Sequence, residues 1–444
     1  MTTAIATEKE RYVEAFERLA ASRAEHEPGK ITELRRSAIA RFEDLGFPTT
    51  RLEEWRFTNV APIAKAAFDL SPSANGVKAG ELADFRYDGT CELVLINGRF
   101  SPELSNLEGL PDGVVVSGLE AAWSSHPEKI EPHLGFATFG EHSFVALNTA
   151  LHRDGAFLFI PRGVVVEQPI NIIHLGRTDG KPFACFPRLL IVAEESSQST
   201  VVEQYGSIGD GNYFTCPVTE VVVGANATVD HYKLQRESIS AFHVATFQLL
   251  QHRDSNFSSH SISWGGGLVR NDVNAVLDGE GAEATLNGLY MVEGTQLVDN
   301  HMRVEHAQPN CDSHELFKGI LEDRSRAVFN GRIYVHRGAQ KTDAKQTNRN
   351  LLLSKNAVAN SNPQLEIFAD DVKCTHGSTV GQLDELGIFY LRSRGIGEEA
   401  ARSLLTYAFA ADIVERIKVP SVRQDLEEFL FRRLPKGDVV RQAV

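Results

Sequence analysis

The sequence lacks an excess of basic charge, and this absence excludes several classes of partner. Its 444 residues carry 45 Lys and Arg against 59 Asp and Glu, a formal net charge of −14 at pH 7. A nucleic-acid binder needs a basic face that neutralises phosphates. Docking on an anionic bilayer needs positive charge as well. We therefore expect neither nucleic acid nor a membrane as a partner.

Long apolar runs and paired cysteines are also missing. No segment approaches the roughly 18 apolar residues of a transmembrane helix. The first residues lack the basic and apolar regions of a secretory leader. The five cysteines are scattered and odd in number, which does not fit a disulfide framework. These features predict free thiols in a reducing, cytoplasmic setting.

Nucleotide and zinc motifs are absent too. The chain contains no G-x-x-x-x-G-K-[ST] sequence, and its glycine turns, GSIGDG near residue 206 and GGG at 265–267, open no helix after a strand. We expect no ATP site in this chain. C-x-x-C does not occur, which argues against a structural zinc ribbon.

The residue pattern changes twice along the chain and predicts three regions. Residues 1–90 contain helix formers with apolar periodicity and predict a small helical region, which Trp55 and Phe57 would anchor. Residues 91–386 contain one short apolar run after another, such as ELVLI and FVALN, bounded by Gly, Asp, Asn and Ser, and these runs predict strands. Residues 387–444 return to helical periodicity.

The strand region repeats a loose plan of strand, polar turn and strand, at irregular intervals of roughly 30 to 55 residues. Such repetition favours a solenoid, and a parallel β-helix is the predicted fold. A β-sandwich or propeller is the alternative on pattern alone. We expect the C-terminal helices to cap the open end of the solenoid, with a partner-binding groove as a further role. Ser421 and Gln424 predict a capping box for the second of these helices.

One segment near the end of the strand region, QLEIFADDVKCTHG, carries a cysteine and a histidine one residue apart. The run LEIFADDVKCTH reads as a strand. Residues two apart in a strand point to the same face, so Cys374 and His376 project together. A thiolate and an imidazole suit iron, zinc or copper. Two ligands are too few for the usual four, so other segments or another chain must supply the rest.

Other readings of this chemistry stay open. A buried cysteine beside an exposed histidine is the ordinary explanation, and a Cys–His nucleophile pair is another. Cys311 and His314, in NCDSHE, have a C-x-x-H spacing, with His301 and His306 upstream. A turn with a packed thiol is the default interpretation of that motif.

Two tracts carry a resemblance to a known family. AQKTDAKQTNRNLLLSKNAVANSNPQLEIFADDVKCTHGSTVGQLDELGIFYLRSRGI resembles the core of the SufB/SufD family of iron–sulfur cluster assembly scaffold proteins, and PTTRLEEWRFTN resembles its N-terminal part. KCTHGSTVG stands where SufB-like chains carry a different motif, so the chain is most similar to the SufD branch. The resemblance implies a right-handed parallel β-helix between two helical regions.

The resemblance also implies a non-enzymatic role in a complex. Its expected partners are a SufB-like paralogue and a SufC-like ABC ATPase, which hydrolyses ATP and docks on the C-terminal helices. A transient iron–sulfur cluster or iron would sit at the SufB interface, with Cys374 and His376 as ligands from this side. Family complexes are associated with a reduced flavin, and the isolated chain could homodimerise. The alternatives are a SufB-like chain that holds a cluster itself and, remotely, a β-helix carbohydrate-active enzyme.

Overall fold

A computed structural model describes residues 2–23, 29–70, 72, 76–137, 140 and 142–443. Its core is a parallel β-solenoid of about eight turns with helices before and after it. The prediction of a parallel β-helix is therefore confirmed, and the sandwich and propeller alternatives are wrong.

The described strands are numbered in chain order. They are β1 Cys91–Ile96, β2 Arg99–Phe100, β3 Val115–Gly118, β4 Gly155–Ile160, β5 Ile170–Arg177, β6 Phe183–Cys185, β7 Arg188–Ala193, β8 Gln198–Ile208, β9 Tyr213–Thr215, β10 Val218–Val223, β11 Thr228–Arg236, β12 Phe242–Gln251, β13 Asn256–Ser263, β14 Leu268–Leu277, β15 Glu283–Val292, β16 Leu297–His306, β17 Asp312–Leu321, β18 Arg326–Val335, β19 Asp343–Leu352, β20 Val358–Ile367 and β21 Lys373–Gly381.

The described helices lie before, within and after this series. They are α1 Thr2–Arg23, α2 Gly29–Leu45, α3 Ala61–Lys65, α4 Leu119–Ser125, α5 Pro127–Ile130, α6 Ser143–Leu151, α7 Glu385–Ser393, α8 Glu398–Val414, α9 Pro420–Arg433 and α10 Gly437–Ala443. None of the helices in the described part of the chain is long and apolar enough to cross a bilayer.

Two sheets face each other across the core. Sheet I runs in the order β2-β1-β5-β8-β11-β13-β15-β17-β19-β21, and sheet II runs β20-β18-β16-β14-β12-β10-β7-β4-β3 with β6 and β9 beside it. From β10 onward consecutive strands alternate between the sheets, so each coil gives one strand to each sheet. Apolar side chains of both sheets, among them Leu249, Phe257 and Phe317, fill the space between them.

Strand register fixes the length of a coil. One inward-facing row of sheet I aligns Ser259, Leu286, Glu315, Gln346 and His376 as successive paired positions. Members of this row are 27, 29, 31 and 30 residues apart in the chain. The repeat is therefore more regular than the sequence pattern indicated, because variable turns conceal it.

The corners between strands repeat one backbone conformation. Ser196, Asn226, Asp254 and Asp323 have φ values of 60°, 59°, 53° and 55°. Short polar residues, Asn and Asp above all, adopt this left-handed conformation more readily than branched ones. The polar turns that punctuate the apolar runs are thus the corners of the solenoid.

The N-terminal helices pack on the flank of the solenoid through an aromatic cluster. Tyr12, Phe42, Phe144 and Phe214 lie together in it and are buried. Trp55 contributes, because the guanidinium carbon of Arg270 lies 3.7 Å from its ring centroid and Phe144 lies 5.4 Å away. The anchoring predicted for Trp55 therefore agrees with the structure.

Phe57 does not anchor this region. Its residue is 40% exposed, so the anchoring prediction for Phe57 is wrong. Phe57 lies in a turn just after the short 3₁₀ helix Glu53–Trp55, and only Trp55 of the pair reaches the aromatic cluster.

The run FVALN at 144–148 is helical and not a strand, contrary to the sequence prediction. It lies in α6, where every residue is buried. A helix that is buried on all sides shows no amphipathic period, and a short apolar run of this kind cannot be told from a buried strand by pattern. The helices α4 to α6 therefore interrupt the strand region, which the sequence did not predict.

A buried arginine ties α6 to sheet II. Arg188 donates from Nη1 to Asn148 Oδ1 and Thr149 Oγ1, both at 3.1 Å. Its Nε donates to Glu220 Oε2 at 2.9 Å, and Arg188 and Glu220 are almost completely buried. A buried charge of this kind is tolerable because its partner and hydrogen bonds replace water.

The C-terminal helices lie along the outer face of sheet I and do not cap its end. Outward-facing Val202, Tyr232 and Ile262 pack in one cluster with residues of α8 and α9, and Trp264 stacks on Phe429 with ring centroids 4.0 Å apart. The capping prediction for these helices is therefore wrong. The sequence indicated the apolar faces of these helices. The surface on which they pack depends on outward-facing residues of much earlier strands, such as Val202 and Tyr232.

The capping box predicted at the start of α9 is also absent. The helix begins at Pro420, its N-cap is Val419, and no side chain of the described residues caps it. Proline at the first helical position supplies a preset φ and has no N–H to satisfy, which replaces the role expected of Ser421.

The two ends of the solenoid differ in their edges. At the first end, β2 has two residues, β3 has four, and both pair antiparallel with their neighbours. At the last end, β20 has ten residues and β21 has nine. Within the described chain, each of these two strands has a hydrogen-bonded neighbour on one side only. The last coil therefore presents two long free edges.

Candidate metal-ligand site

Cys374 and His376 lie on β21, the free edge strand of sheet I. The segment predicted as one strand over 365–376 is in fact two, because β20 ends at Ile367 in sheet II and β21 begins at Lys373 in sheet I. The corner between them contains Asp371, whose carboxylate pairs with Lys341. Asp371 is thus a corner residue with a structural partner.

The register supports a common face for the thiol and the imidazole. Cys374 pairs with Ala344 and His376 with Gln346, and both partners are buried, inward-facing residues of β19. In an extended strand the two Cα atoms are about 6.6 Å apart, since the rise is about 3.3 Å per residue. Both side chains therefore continue inward rows of the solenoid at the point where the solenoid stops.

The two groups differ in exposure. Cys374 is half-buried and packs against a small cluster that includes Ile333, Val335 and Ala344. His376 is exposed, and within the described residues its side chain makes no hydrogen bond or ion pair. The pair is therefore accessible from the open end, and neither group is enclosed in the core.

Burial raises the pKa of the Cys374 thiol above its usual value of 9.0. The nearby Asp343 carboxylate raises it further, while a hydrogen bond with the backbone of Ala344 opposes the change. The thiol is accordingly protonated near neutral pH and is a poor nucleophile. A metal ion that binds the sulfur would have to displace this proton.

The chain alone does not complete a metal site around this pair. In the described part of the chain, no three or more His, Cys, Asp or Glu side chains are grouped so that they could hold a metal ion. The need for further ligands from another chain therefore stays a prediction.

The second candidate motif does not form a site. Cys311 is buried, and its sulfur donates to the carbonyl of Gly279 at 3.2 Å, whereas His314 is exposed on the other face of β17. His306 is buried and its Nε2 lies 2.9 Å from Ser313 Oγ, while His301 lies beside Asp299. These residues point to different places, so the packed-thiol reading of Cys311 agrees with the structure.

Sequence reasoning missed a polar cluster buried between the sheets. His231 Nε2 lies 2.9 Å from Glu203 Oε2. Lys233 Nζ lies 3.0 Å from His243 Nε2, and His243 Nδ1 lies 2.7 Å from Glu237 Oε2. All five residues are buried. Alternating polar residues in TVDHYKLQR were the available signal, but the same alternation is typical of a solvated strand face.

Burial and neighbouring charges shift the pKa values of this polar cluster in opposite directions. Burial alone would raise the pKa of Glu203, but the hydrogen bond and charge of His231 and the charge of Lys233 outweigh it and lower that pKa to about 2. Burial lowers the pKa of Lys233 to about 8, against the attraction of Glu203 and Glu237. The cluster lies in the middle coils, several strands from Cys374.

The fold is that of a β-solenoid protein with a half-buried cysteine and an exposed histidine side by side on the edge strand of its open end. Comparison with known proteins then identifies the family. The model of the SufBD core domain of the SUF iron–sulfur assembly system matches residues 175–409, and that of the SufBD N-terminal region matches residues 6–172.

Individual relatives agree with these matches. The chain is 33% identical over 403 residues to the iron-sulfur cluster assembly protein SufD of Escherichia coli, covering 88% of this chain and 90% of the relative. It is 34% identical over 403 residues to an iron-sulfur cluster assembly SufBD family protein of Synechocystis, covering 89% of each. SufD of Bacillus subtilis is 29% identical over 433 residues, covering 93% of this chain and 96% of the relative.

The chain belongs to the SufBD family of iron–sulfur cluster assembly proteins. The resemblance to the SufD branch is confirmed, since two of these relatives are named SufD.

Proposed function

We propose that this chain is the SufD-like scaffold subunit of a complex that assembles iron–sulfur clusters. In this proposal it docks against a SufB-like paralogue through its last coil. Cys374 and His376 then contribute to the site where iron and sulfide, which are cargo and not resident cofactors, are brought together. The observation that carries the proposal is the position of the thiol and the imidazole, side by side on the free edge of β21.

The chemistry of the pair supports an iron-bearing cargo. Cysteine thiolate is the usual ligand of iron–sulfur clusters, and histidine replaces it in some of them. The raised pKa of Cys374 keeps the sulfur protonated until a metal ion arrives. A site that is half-built on one subunit loads only when the partner is present, and it releases its cargo when the partner moves.

Strand chemistry favours β21 over β20 as the strand that pairs with the partner. Pro363 lies in the middle of β20, and proline lacks the N–H that a ladder requires. β21 contains no proline, and its exposed edge carries Cys374 and His376. Adding a partner strand to β21 would bring that strand's side chains within reach of both ligands.

The C-terminal helices support a role for the ATPase partner. Leu386, Phe389 and Tyr390 of α7 are 78%, 70% and 57% exposed, and their spacing of three and four residues puts them on one helical face. Together with the neighbouring α8 and α9, this apolar face is the docking surface that we propose for a SufC-like ATPase. ATP hydrolysis on that ATPase would bias the arrangement of the last coil. The reason is that α7 packs in one cluster with Leu351 of β19, the strand that pairs with β21.

The test uses the three-subunit complex from one genome, purified without oxygen. We expect His376→Ala and Cys374→Ser to lower the iron and acid-labile sulfide bound per complex, while gel filtration shows an intact complex. Thr375→Val is the matched control, since Thr375 is exposed on the opposite face of the same strand. Undiminished cluster assembly in an intact His376→Ala complex would contradict the proposal.

A second experiment separates this role from that of a SufB-like subunit. We expect the isolated chain, reconstituted with iron and sulfide, to hold no stable cluster, since it supplies only two ligands. A stable cluster on the single chain would favour the SufB-like alternative. A reduced flavin on the complex is a further proposal, and flavin released by denaturing the anaerobically purified complex would measure it.

A further inference from the structure

Glu315, Gln346 and His376 occupy the same register position on three successive strands of sheet I. Glu315 of β17 pairs with Gln346 of β19, and Gln346 pairs with His376 of β21. Neighbouring strands lie about 4.8 Å apart. All three side chains belong to one inward-facing row, so Gln346 lies between Glu315 and His376.

The first link of this row is a formed hydrogen bond. Gln346 Nε2 donates to Glu315 Oε2 at 2.9 Å, and the two residues are 1% and 3% exposed. When it is ionised, the Glu315 carboxylate accepts and does not donate, so it holds the amide nitrogen of Gln346 on its side. The amide oxygen is thereby directed away from Glu315.

That amide oxygen is buried without a partner. Within the described residues, Gln346 Oε1 makes no hydrogen bond. An unsatisfied buried acceptor lowers stability, so such groups are normally paired. The neighbour of Gln346 on the free side is His376, whose ring also has no hydrogen bond among the described residues.

The facing sheet is shaped to receive this amide. A Cβ at Gly331 of β18 would overlap the amide group of Gln346 across the interior. The absence of a side chain at Gly331 therefore makes the space in which Gln346 lies. The amide of Gln346 is therefore held in an enclosed space between the sheets.

We propose that Gln346, oriented by Glu315, is a positioning residue for His376: its side-chain oxygen accepts the hydrogen bond of one imidazole N–H. This bond selects one tautomer and leaves the lone pair of the other ring nitrogen facing the open end of the solenoid. Histidines that bind metal ions commonly donate their second N–H to a carbonyl or carboxylate in this way. The role in metal capture rests on the function proposed above, whereas the hydrogen bond itself does not.

The test measures the His376 tautomer in the full-length chain without partners. The chain is labelled with ¹⁵N-histidine, His376 is assigned by difference from His376→Ala, and spectra are recorded about two pH units above the usual histidine pKa of about 6.5. We expect one dominant tautomer in the unmodified chain and a mixture in Gln346→Met, which lacks the oxygen. A tautomer mixture already present in the unmodified chain, or an unchanged spectrum in Gln346→Met, would overturn the proposal.

The matched control is Asn348→Leu. Asn348 is a buried, inward-facing polar residue of the same strand, but its neighbour on β21 is Ser378. We expect this variant to keep the single His376 tautomer. Should Gln346→Met not fold, Gln346→Asn withdraws the oxygen by one methylene and must give the same mixture.

Failure of this proposal differs from failure of the proposed function. In the assembled complex, loss of such a supporting hydrogen bond typically lowers metal affinity about 10- to 100-fold, which we expect of Gln346→Met for Fe²⁺. A fixed tautomer with undiminished assembly in His376→Ala would sink the function and keep the hydrogen bond. A tautomer mixture together with abolished assembly in His376→Ala would overturn the hydrogen bond and support the proposed function.

Discussion

Replacing Glu315 by Gln should stabilise the protein at alkaline pH and change little at acidic pH. Glu315 is buried, and its only described hydrogen-bond partner is Gln346. Burial raises the pKa of the Glu315 carboxyl from 4.5 to about 7, against a smaller lowering by Gln346. The folded chain therefore binds this proton more tightly than the unfolded chain does.

The sign and size of the effect follow from this difference in pKa. A tenfold change in proton affinity corresponds to about 1.4 kcal/mol, so ionising Glu315 in the folded chain costs roughly 3 kcal/mol. The wild type keeps its full stability below pH 4.5 and loses this amount as pH rises through 7. The Gln side chain accepts the same hydrogen bond but never ionises, so Glu315→Gln avoids the loss.

Denaturant unfolding at a series of pH values between 4.5 and 8.5 measures the effect. The free energy of unfolding of Glu315→Gln minus that of the wild type should increase over this range by roughly 3 kcal/mol. Glu399→Gln, at an exposed residue in the first turn of α8, is the control and should show no such trend. A difference that stays flat with pH would refute a raised pKa at Glu315 and with it the argument from the burial of this carboxyl.

Four further outcomes follow from the described contacts. Arg188→Met should cost about 3–5 kcal/mol in denaturant unfolding, because it leaves the buried Glu220 carboxylate without its cationic partner. Glu203→Gln should destabilise the chain near pH 7, and the loss should shrink as pH falls from 4.5 toward 2, since His231 stabilises the carboxylate. Phe389→Glu should weaken binding of the SufC-like ATPase that we propose as a partner in a pull-down, while the melting temperature stays within a few degrees, because this residue is 70% exposed. The isolated chain should form a homodimer through its open last coil, which light scattering measures, and a monomer at all concentrations would contradict this.

Local pattern was sufficient for the architecture because each strand and corner carries its own signal. Val-rich runs bounded by residues such as Asn226 and Asp254 predict strands and turns without knowledge of their neighbours. Pattern failed where burial removed periodicity, as in α6, whose nine residues are all buried. It failed again for the packing surface of α8 and α9, because that surface is formed by the outward faces of strands distant in the sequence.

The candidate site was predictable only in part, for a related reason. The common direction of Cys374 and His376 follows from the two-residue period of a strand, which is local. The row from Glu315 through Gln346 to His376 depends on pairing between residues 31 and 30 positions apart, and no local pattern contains that register. The polar cluster of Glu203 and His231 was hidden by the same ambiguity, since alternation alone does not say which face is inside.

The difference between the two ends of the solenoid gives the proposed interface its physical basis. Long free strand edges pair readily with other chains, and proteins shorten or cover the edges that must stay single. The first end is finished by the short antiparallel strands β2 and β3, whereas the last end shows β20 and β21 at ten and nine residues. The C-terminal helices could have covered this coil, yet they pack on the flank. An edge left long at one end only, with a thiol and an imidazole on it, is the edge that a partner is expected to cover.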